Sequence, residues 1–345
     1  SDIQAHINSS LFLNDDFEIR SQVGFNIISR ERTVDSYSFA YSLTGGGNVI
    51  PAPYDESQNI SDVINDESFE SGVFEVVSRN DYKASYTGEW NNTSFYIMPT
   101  FDYFDSFKLE AGVRLEDSEL IVETSVNPVN GQTILAQVED SGVYPSLNLT
   151  VLASDELQFR FAYYGSVNRP DFREIAPTQF TDTVSGDTYV GNEKLTEALV
   201  NNIDVRAEYY FSDDESVTFA LFRKDFEDAI ERTSTIISGS SNDVLYSFAN
   251  NGDSYAQGME VTASKNIDFD LVSFRLSGNF SLFDTEIDIY NFSGNLVRTR
   301  QLQGQPEMLA NVQLAIDELE SGREYTFVLN HTGESLHAVA ADPLL

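Results

Sequence analysis

Charged and aromatic side chains crowd one segment, SVNRPDFREIAPTQFTDTVSGDTYVGNEKL, residues 166–195. Arg169, Asp171, Arg173 and Glu174 alternate in sign around Phe172. Planar guanidinium groups in such a run can donate paired hydrogen bonds to a carboxylate or a sugar hydroxyl. Further along, Phe180 and Tyr189 offer faces that stack on a sugar or an aromatic ligand. These five residues (Arg169, Asp171, Arg173, Phe180 and Tyr189) are the candidate ligand-binding set. The plainer role for the same residues is structural: Pro170 fixes the exit from a strand, and the arginines pair with acids nearby.

Other chemistries find little support. The chain has no cysteine, which removes disulfides, thiolate metal sites and cysteine nucleophiles. His6, His331 and His337 are its only histidines, without the spacing of a zinc site, so no metal centre is expected. The acidic stretch DESQNISDVINDESFE, residues 55–70, has the oxygen ligands calcium takes but not the spacing of an EF-hand loop. Acid pairs such as Glu116-Asp117 and Asp213-Asp214 abound, yet hydrolysis needs two carboxylates at a defined separation around a bond. No nucleophile elbow, P-loop or dinucleotide fingerprint occurs, and GGGN at 45–48 is a glycine turn in a polar loop. An enzyme is therefore not expected. With 20 basic against 56 acidic residues, net −36, the surface would repel a phosphate backbone, so nucleic acid is not an expected partner.

The elements that position the segment repeat every second residue. In FKLEAGVRLED, Phe107, Leu109, Ala111, Val113 and Leu115 share one face, with Lys108, Glu110, Arg114 and Glu116 on the other. LQFRFAY, IDVRAEYYF, SVTFALF and SFRLSGNFSLF read the same way. No apolar run is long enough for a transmembrane helix, and SDIQAHINSS has no signal-peptide pattern. Membrane strands need only about 9–11 alternating residues, so neither fact bears on them.

About twelve strands are expected, near 3–13, 17–43, 92–104, 107–126, 143–153, 156–167, 199–211, 215–226, 256–266, 270–288, 307–317 and 323–337. Very short polar turns such as Asp105-Ser106 and Ser154-Asp155 join them in pairs, which makes antiparallel hairpins. Long connections, roughly 44–91, 127–142, 168–198, 227–255 and 289–306, separate the pairs. Short turns at one end and long loops at the other are the habit of outer-membrane barrels. In such a barrel Asp102 and Asp317 must face the interior or lie beyond the bilayer.

The succession of motifs is more specific than any one of them. AGVRLEDS, YPSLNLT, the NRPDFRE loop, GNEKL, a strand ending in EYYF and then KDFEDAIE follow in order, with YAQGMEVTASKN, LQGQPEMLANVQL and LNHTGESLHAV after them. Over nearly all of residues 90–338 this resembles the barrel of TonB-dependent outer-membrane receptors. The resemblance implies an all-β, antiparallel, up-and-down transmembrane-type barrel of about 22 strands, with a plug that the inner-membrane TonB protein displaces. About twelve strands, no plug or TonB box before residue 1, and Leu345 in place of a terminal aromatic depart from that pattern. Residues 1–345 are thus expected to be one partial barrel domain of a Gram-negative outer membrane. Its implied partners are TonB through a plug, membrane lipid and a small nutrient. The motifs around NRPDFRE resemble the branch linked to complex carbohydrates, which puts carbohydrate first and a siderophore or iron complex second. The rival of another class is a soluble or surface β-sheet binding protein.

Overall fold

The computed structural model describes residues 1–37, 39–44, 64–78, 85–104, 106–127, 132–182, 187–236, 244–290 and 296–340. Residues 55–63 of the acidic stretch, and the GGGN turn, lie outside them.

Wall strands and connection elements alternate along the chain. β1 (Asp2–Asn14) and β2 (Phe17–Val34) begin the wall, followed by β3 (Phe39–Leu43), α1 (Asp66–Glu70) and β4 (Phe74–Ser78) in a connection. Four wall strands come next: β5 (Tyr86–Tyr103), β6 (Phe107–Asn127), β7 (Gln132–Leu152) and β8 (Leu157–Asn168). The candidate segment then contributes α2 (Phe172–Ile175), β9 (Gln179–Thr181) and β10 (Thr188–Val190). The wall resumes with β11 (Ala198–Ser212) and β12 (Glu215–Glu227), and leaves again for β13 (Ile230–Ile236) and β14 (Val244–Asn250). β15 (Ser254–Asp268), β16 (Val272–Tyr290), β17 (Leu296–Arg300), β18 (Met308–Glu318), β19 (Arg323–Thr332) and β20 (Val339–Ala340) complete the order.

Twelve strands form one antiparallel meander in the order β1-β2-β5-β6-β7-β8-β11-β12-β15-β16-β18-β19, with β17 added beside β16. Each expected wall strand is there. Among the described residues, β1 pairs only with β2 and β19 only with β18, so the barrel wall is partial and open. Connection strands make a second sheet in the order β20-β13-β14-β10-β9, and β3 pairs with β4 alone.

Two expectations need correction. The run 17–43 is not one strand: β2 ends at Val34, and residues 39–43 pair with β4 in a separate ribbon. Nor is 127–142 a long connection, because β6 and β7 pair without interruption from Phe107↔Val151 to Ser125↔Thr133. The error has a physical cause. Along β7 the covered apolar residues are first Ile134, Ala136 and Val138, with Leu135 exposed on the other face, and later Val143, Leu147, Leu149 and Val151 carry the apolar pattern, so the prevailing parity changes from even to odd. A parity change usually signals a break or a bulge. Here the ladder runs on, and the side that is apolar changes instead.

The same exchange occurs in β5 and β6. Near the short turns, odd-numbered Phe95, Ile97, Phe101, Phe107, Leu109 and Leu115 lie on a face that no connection covers among the described residues. Toward the long connections, even-numbered Tyr86, Leu120, Val122, Ala136 and Val138 are buried on the opposite face, against Ile175, Ala176 and Leu195 of the candidate segment. That opposite face is called inner below, and the first outer. Each of the large aliphatic side chains fully buried in the cluster, such as Val122 and Ile175, contributes about 1.5–3 kcal/mol. Asp102 and Asp317 lie on the inner face as required, paired with Arg20 at 2.6 Å and Arg275 at 3.6 Å.

Candidate functional site

The long connections converge at one end of the wall. The segment 169–197 folds back onto the inner face. DFRE closes a capping box: the Asp171 carboxylate accepts from the Arg173 N–H at 3.1 Å, and Glu174 accepts from the Asp171 N–H at 2.9 Å. Four residues of helix follow, enough to turn Ile175 and Ala176 inward, where both are fully buried. The Phe172 ring occupies the space above Gly88, and the Ala176 carbonyl occupies the space above Gly191; a side chain at either glycine would collide.

Arg169 anchors this fold-back. Its guanidinium pairs with Asp140 of β7, through Nη2 and also through Nε at 3.0 Å, and with Glu116 of β6 at 2.9 Å. Tyr144 donates to the same Asp140 at 3.2 Å. All three charged side chains are largely buried, at 16%, 5% and 10% exposure. Burial by itself would lower the arginine's pKa, but the two carboxylates reverse that and hold it above its usual value. Asp171 is committed too, as helix cap and as partner of Arg32 at 3.5 Å. These two candidates therefore have structural work, although both line a cleft of about 380 Å³ beside Trp90, which lies under the Arg30 guanidinium at 4.8 Å.

Glu174 shows the cost of the fold-back. Burial pushes its carboxyl above the ordinary range, and the Asp171 N–H only partly counters this. For a carboxylate with a raised folded pKa, the ionised form is the disfavoured one, so the strain is present above that pKa and relieved below it. Glu174→Gln keeps an acceptor for the Asp171 N–H and removes the charge. It is expected to slow amide exchange at Ala176 by a few-fold at neutral pH and to have no effect near pH 4; faster exchange at pH 7 would contradict the assignment.

The other three candidates meet in the five-stranded sheet. Phe180 of β9 stacks on Tyr189 of β10 at 5.3 Å and 11°, and Tyr189 on Tyr246 of β14 at 5.1 Å and 26°. His337 meets Tyr246 edge-on at 6.0 Å. Arg173 caps Phe180 at 4.8 Å, and Arg232 of β13 sits 5.7 Å from the Tyr189 ring centre. The structure thus brings Arg173, Phe180 and Tyr189 together and sends Arg169 and Asp171 elsewhere.

Sequence does not single out Arg232 and Tyr246, and His337 figures there only as a histidine without zinc-site spacing. A signal was present: IERTSTI and VLYSFAN, residues 230–236 and 244–250, alternate enough to mark a hairpin inside what reads as one loop. Their meeting with β10 and β20 through parallel pairs, Tyr189↔Tyr246 and Ser234↔Ala340, has no local signature.

A hub fixes this sheet to the wall. Glu231 is buried and takes a two-pronged ion pair from Arg300 of β17, at 2.9 and 2.6 Å, with Asn251 donating at 2.8 Å. Gln303 bonds the Arg232 backbone on both sides, accepting from N–H at 2.5 Å and donating to C=O at 3.1 Å, and also donates to the His337 carbonyl. No group of acids and histidines that could hold a metal ion occurs among the described residues.

Residues 3–332 match the family model described as TonB dependent receptor-like, beta-barrel. Comparison with curated proteins finds no match. Among solved structures, the siderophore receptor PiuA from Acinetobacter baumannii is similar at 13% identity and TM-score 0.58, over 95% of this chain and 48% of that one. A double mutant of the Serratia marcescens hemophore receptor HasR, in complex with its hemophore HasA and heme, gives 13% and 0.60 over 96% and 51%. The ferric-catecholate import receptor Fiu from K12 E. coli gives 13% and 0.56 over 91% and 41%. At such identities the likeness is one of fold. The chain spans about half the length of these relatives or less.

Proposed function

Since the chain belongs to the family of TonB-dependent receptor β-barrels, we propose that it forms wall and mouth of a Gram-negative outer-membrane receptor that takes up a scarce nutrient, an iron complex in preference to a carbohydrate. In this reading membrane lipid packs on the outer apolar belt. The connections at the other end face the surroundings and admit the ligand. A plug domain and TonB drive its passage.

The observation that carries the reading is the exchange of apolar faces along β5, β6 and β7. A globular sandwich keeps one face apolar along the whole strand. A wall that leaves a bilayer needs an apolar outer face only within the lipid, and above it the outer face turns polar while the inner one packs on loops. Thr93, Asp117, Glu119 and Glu139 follow the belt on the outer face here. The preference for an iron complex draws on the relatives, whose ligands are a siderophore, heme and a ferric catecholate, and on the arginines beside the aromatic stack, which suit an anionic ligand better than a neutral sugar.

The test is placement of charge on the outer face. Ile97→Arg, within the belt, is expected to cost about 2–4 kcal/mol of folding stability in lipid vesicles, and Thr93→Arg, two turns of the pleat above, about 0–1 kcal/mol. Equal costs, or a parent chain that folds and stays monomeric without lipid or detergent, would support the soluble rival.

A further inference from the structure

Arg232 stands out in a chain so rich in acid. Among the described residues no carboxylate lies within ion-pair reach of it, and its Nε is buried without a hydrogen-bond partner. Its Nη1 lies 3.2 Å from His337 Nε2, a ring that brings no negative charge to offset the guanidinium. Its neighbour Glu231 does not help, because alternation along β13 sends that carboxylate to the opposite face, where Arg300 holds it.

The groups around Arg232 are also short of acceptors. Tyr189 and Tyr246 stack beside it, and neither phenol makes a hydrogen bond among the described residues. Arg173 at the far end of the stack likewise has no carboxylate within ion-pair reach among them, and its guanidinium lies over the face of Phe180 and beside the Tyr86 hydroxyl. Two guanidinium groups and two phenols are donors collected at one surface. Of these the Arg232 Nε is the one buried without an acceptor among the described residues, and it carries a desolvation cost of about 1–3 kcal/mol that an incoming oxyanion would offset; Arg173 is exposed and the two phenols are half-buried.

We propose that Arg232, Tyr189 and Tyr246, with Arg173 beside them, bind the oxyanion of a small aromatic ligand, its charge on the Arg232 guanidinium and its ring against the stack. The proposal rests on the receptor reading only for where such a ligand comes from; the donor surface itself does not depend on a membrane.

The experiment uses the full chain in detergent and 4-fluorobenzoate as probe, read by fluorine line broadening, with 4-fluorobenzamide as its neutral counterpart. Benzoate is expected to bind saturably, at least about tenfold more tightly than the amide, as loss of a charge-assisted hydrogen bond implies. Arg232→Gln should weaken benzoate about tenfold and leave the amide unchanged. Tyr246→Phe, which keeps the ring and the fold, should weaken benzoate by a smaller factor. Arg298→Gln, an exposed arginine on β17 that is not a member of the stack, serves as the control for net charge and should have no effect. Equal binding of the two probes, or equal losses in Arg232→Gln and Arg298→Gln, would overturn the proposal. Either result leaves the vesicle experiment on Ile97 and Thr93 untouched, so the two readings fail separately.

Discussion

Arg169→Met should release the 169–197 connection from the inner face while leaving the wall intact. The substitution preserves most of the stem and removes the charge that Asp140 and Glu116 share. Glu116 retains Arg114, but among the described residues Asp140 keeps only the Tyr144 hydroxyl. A buried charge deprived of its partner costs about 3–5 kcal/mol. The connection need not bear that cost, because it can leave and admit water to both carboxylates. Opening should therefore become easier by two orders of magnitude or more, seen as faster amide exchange at Ala176, whose N–H is bonded to Phe172 O at 3.0 Å. Wall amides of β6 and β7 should hold their rates. Adding Asp140→Asn should recover much of the loss, since it removes the unpaired charge. Unchanged exchange at Ala176 in the single variant would show that the apolar cluster alone holds the fold-back.

Arg300→Met should loosen the five-stranded sheet and reverse the way its stability follows pH. In the parent, burial works to raise the Glu231 pKa, but the bonds from Arg300 and Asn251 outweigh it and hold the carboxyl below its usual range. A depressed folded pKa means stability that is present above the unfolded value of about 4.3 and lost as pH falls through the folded one. Without Arg300 the burial effect prevails, the pKa rises, and stability is greater below it and lost as pH climbs. At neutral pH the variant should lose up to about 3–5 kcal/mol of protection in β13 and β14, less to the extent that Asn251 and the Gln303 N–H still donate. Hydrogen exchange of these two strands from pH 3 to pH 7 measures both size and sign. Parallel pH profiles for parent and variant would count against the hub.

The same pair explains why the site was only partly legible. Glu231 and Arg300 stand far apart in sequence, each in a stretch that reads as a loop, and nothing local marks them as partners. Arg169 was visible as a charged residue next to a proline, and pairing with nearby acids was one of two roles open to it. Which acids was not visible. Asp140 falls in a run read as loop because the apolar parity changes just after it. By contrast Arg173, Phe180 and Tyr189 belong to one short segment, in which β9 pairs antiparallel with β10 and sets Phe180 opposite Tyr189.

From sequence alone came the antiparallel meander, its twelve wall strands with the approximate ends of most of them, and the family. Each of these rests on local periodicity and on turn chemistry, which act between residues close in the chain. The tertiary structure decided which face is apolar at each height of the wall, because that depends on whether lipid, solvent or a returning loop lies against it. It also decided the partners of the charged residues. A strand's alternation says that Arg232 and Glu231 point opposite ways; only the packing of three distant connections determines that Glu231 meets Arg300 and that Arg232 meets no acid among the described residues.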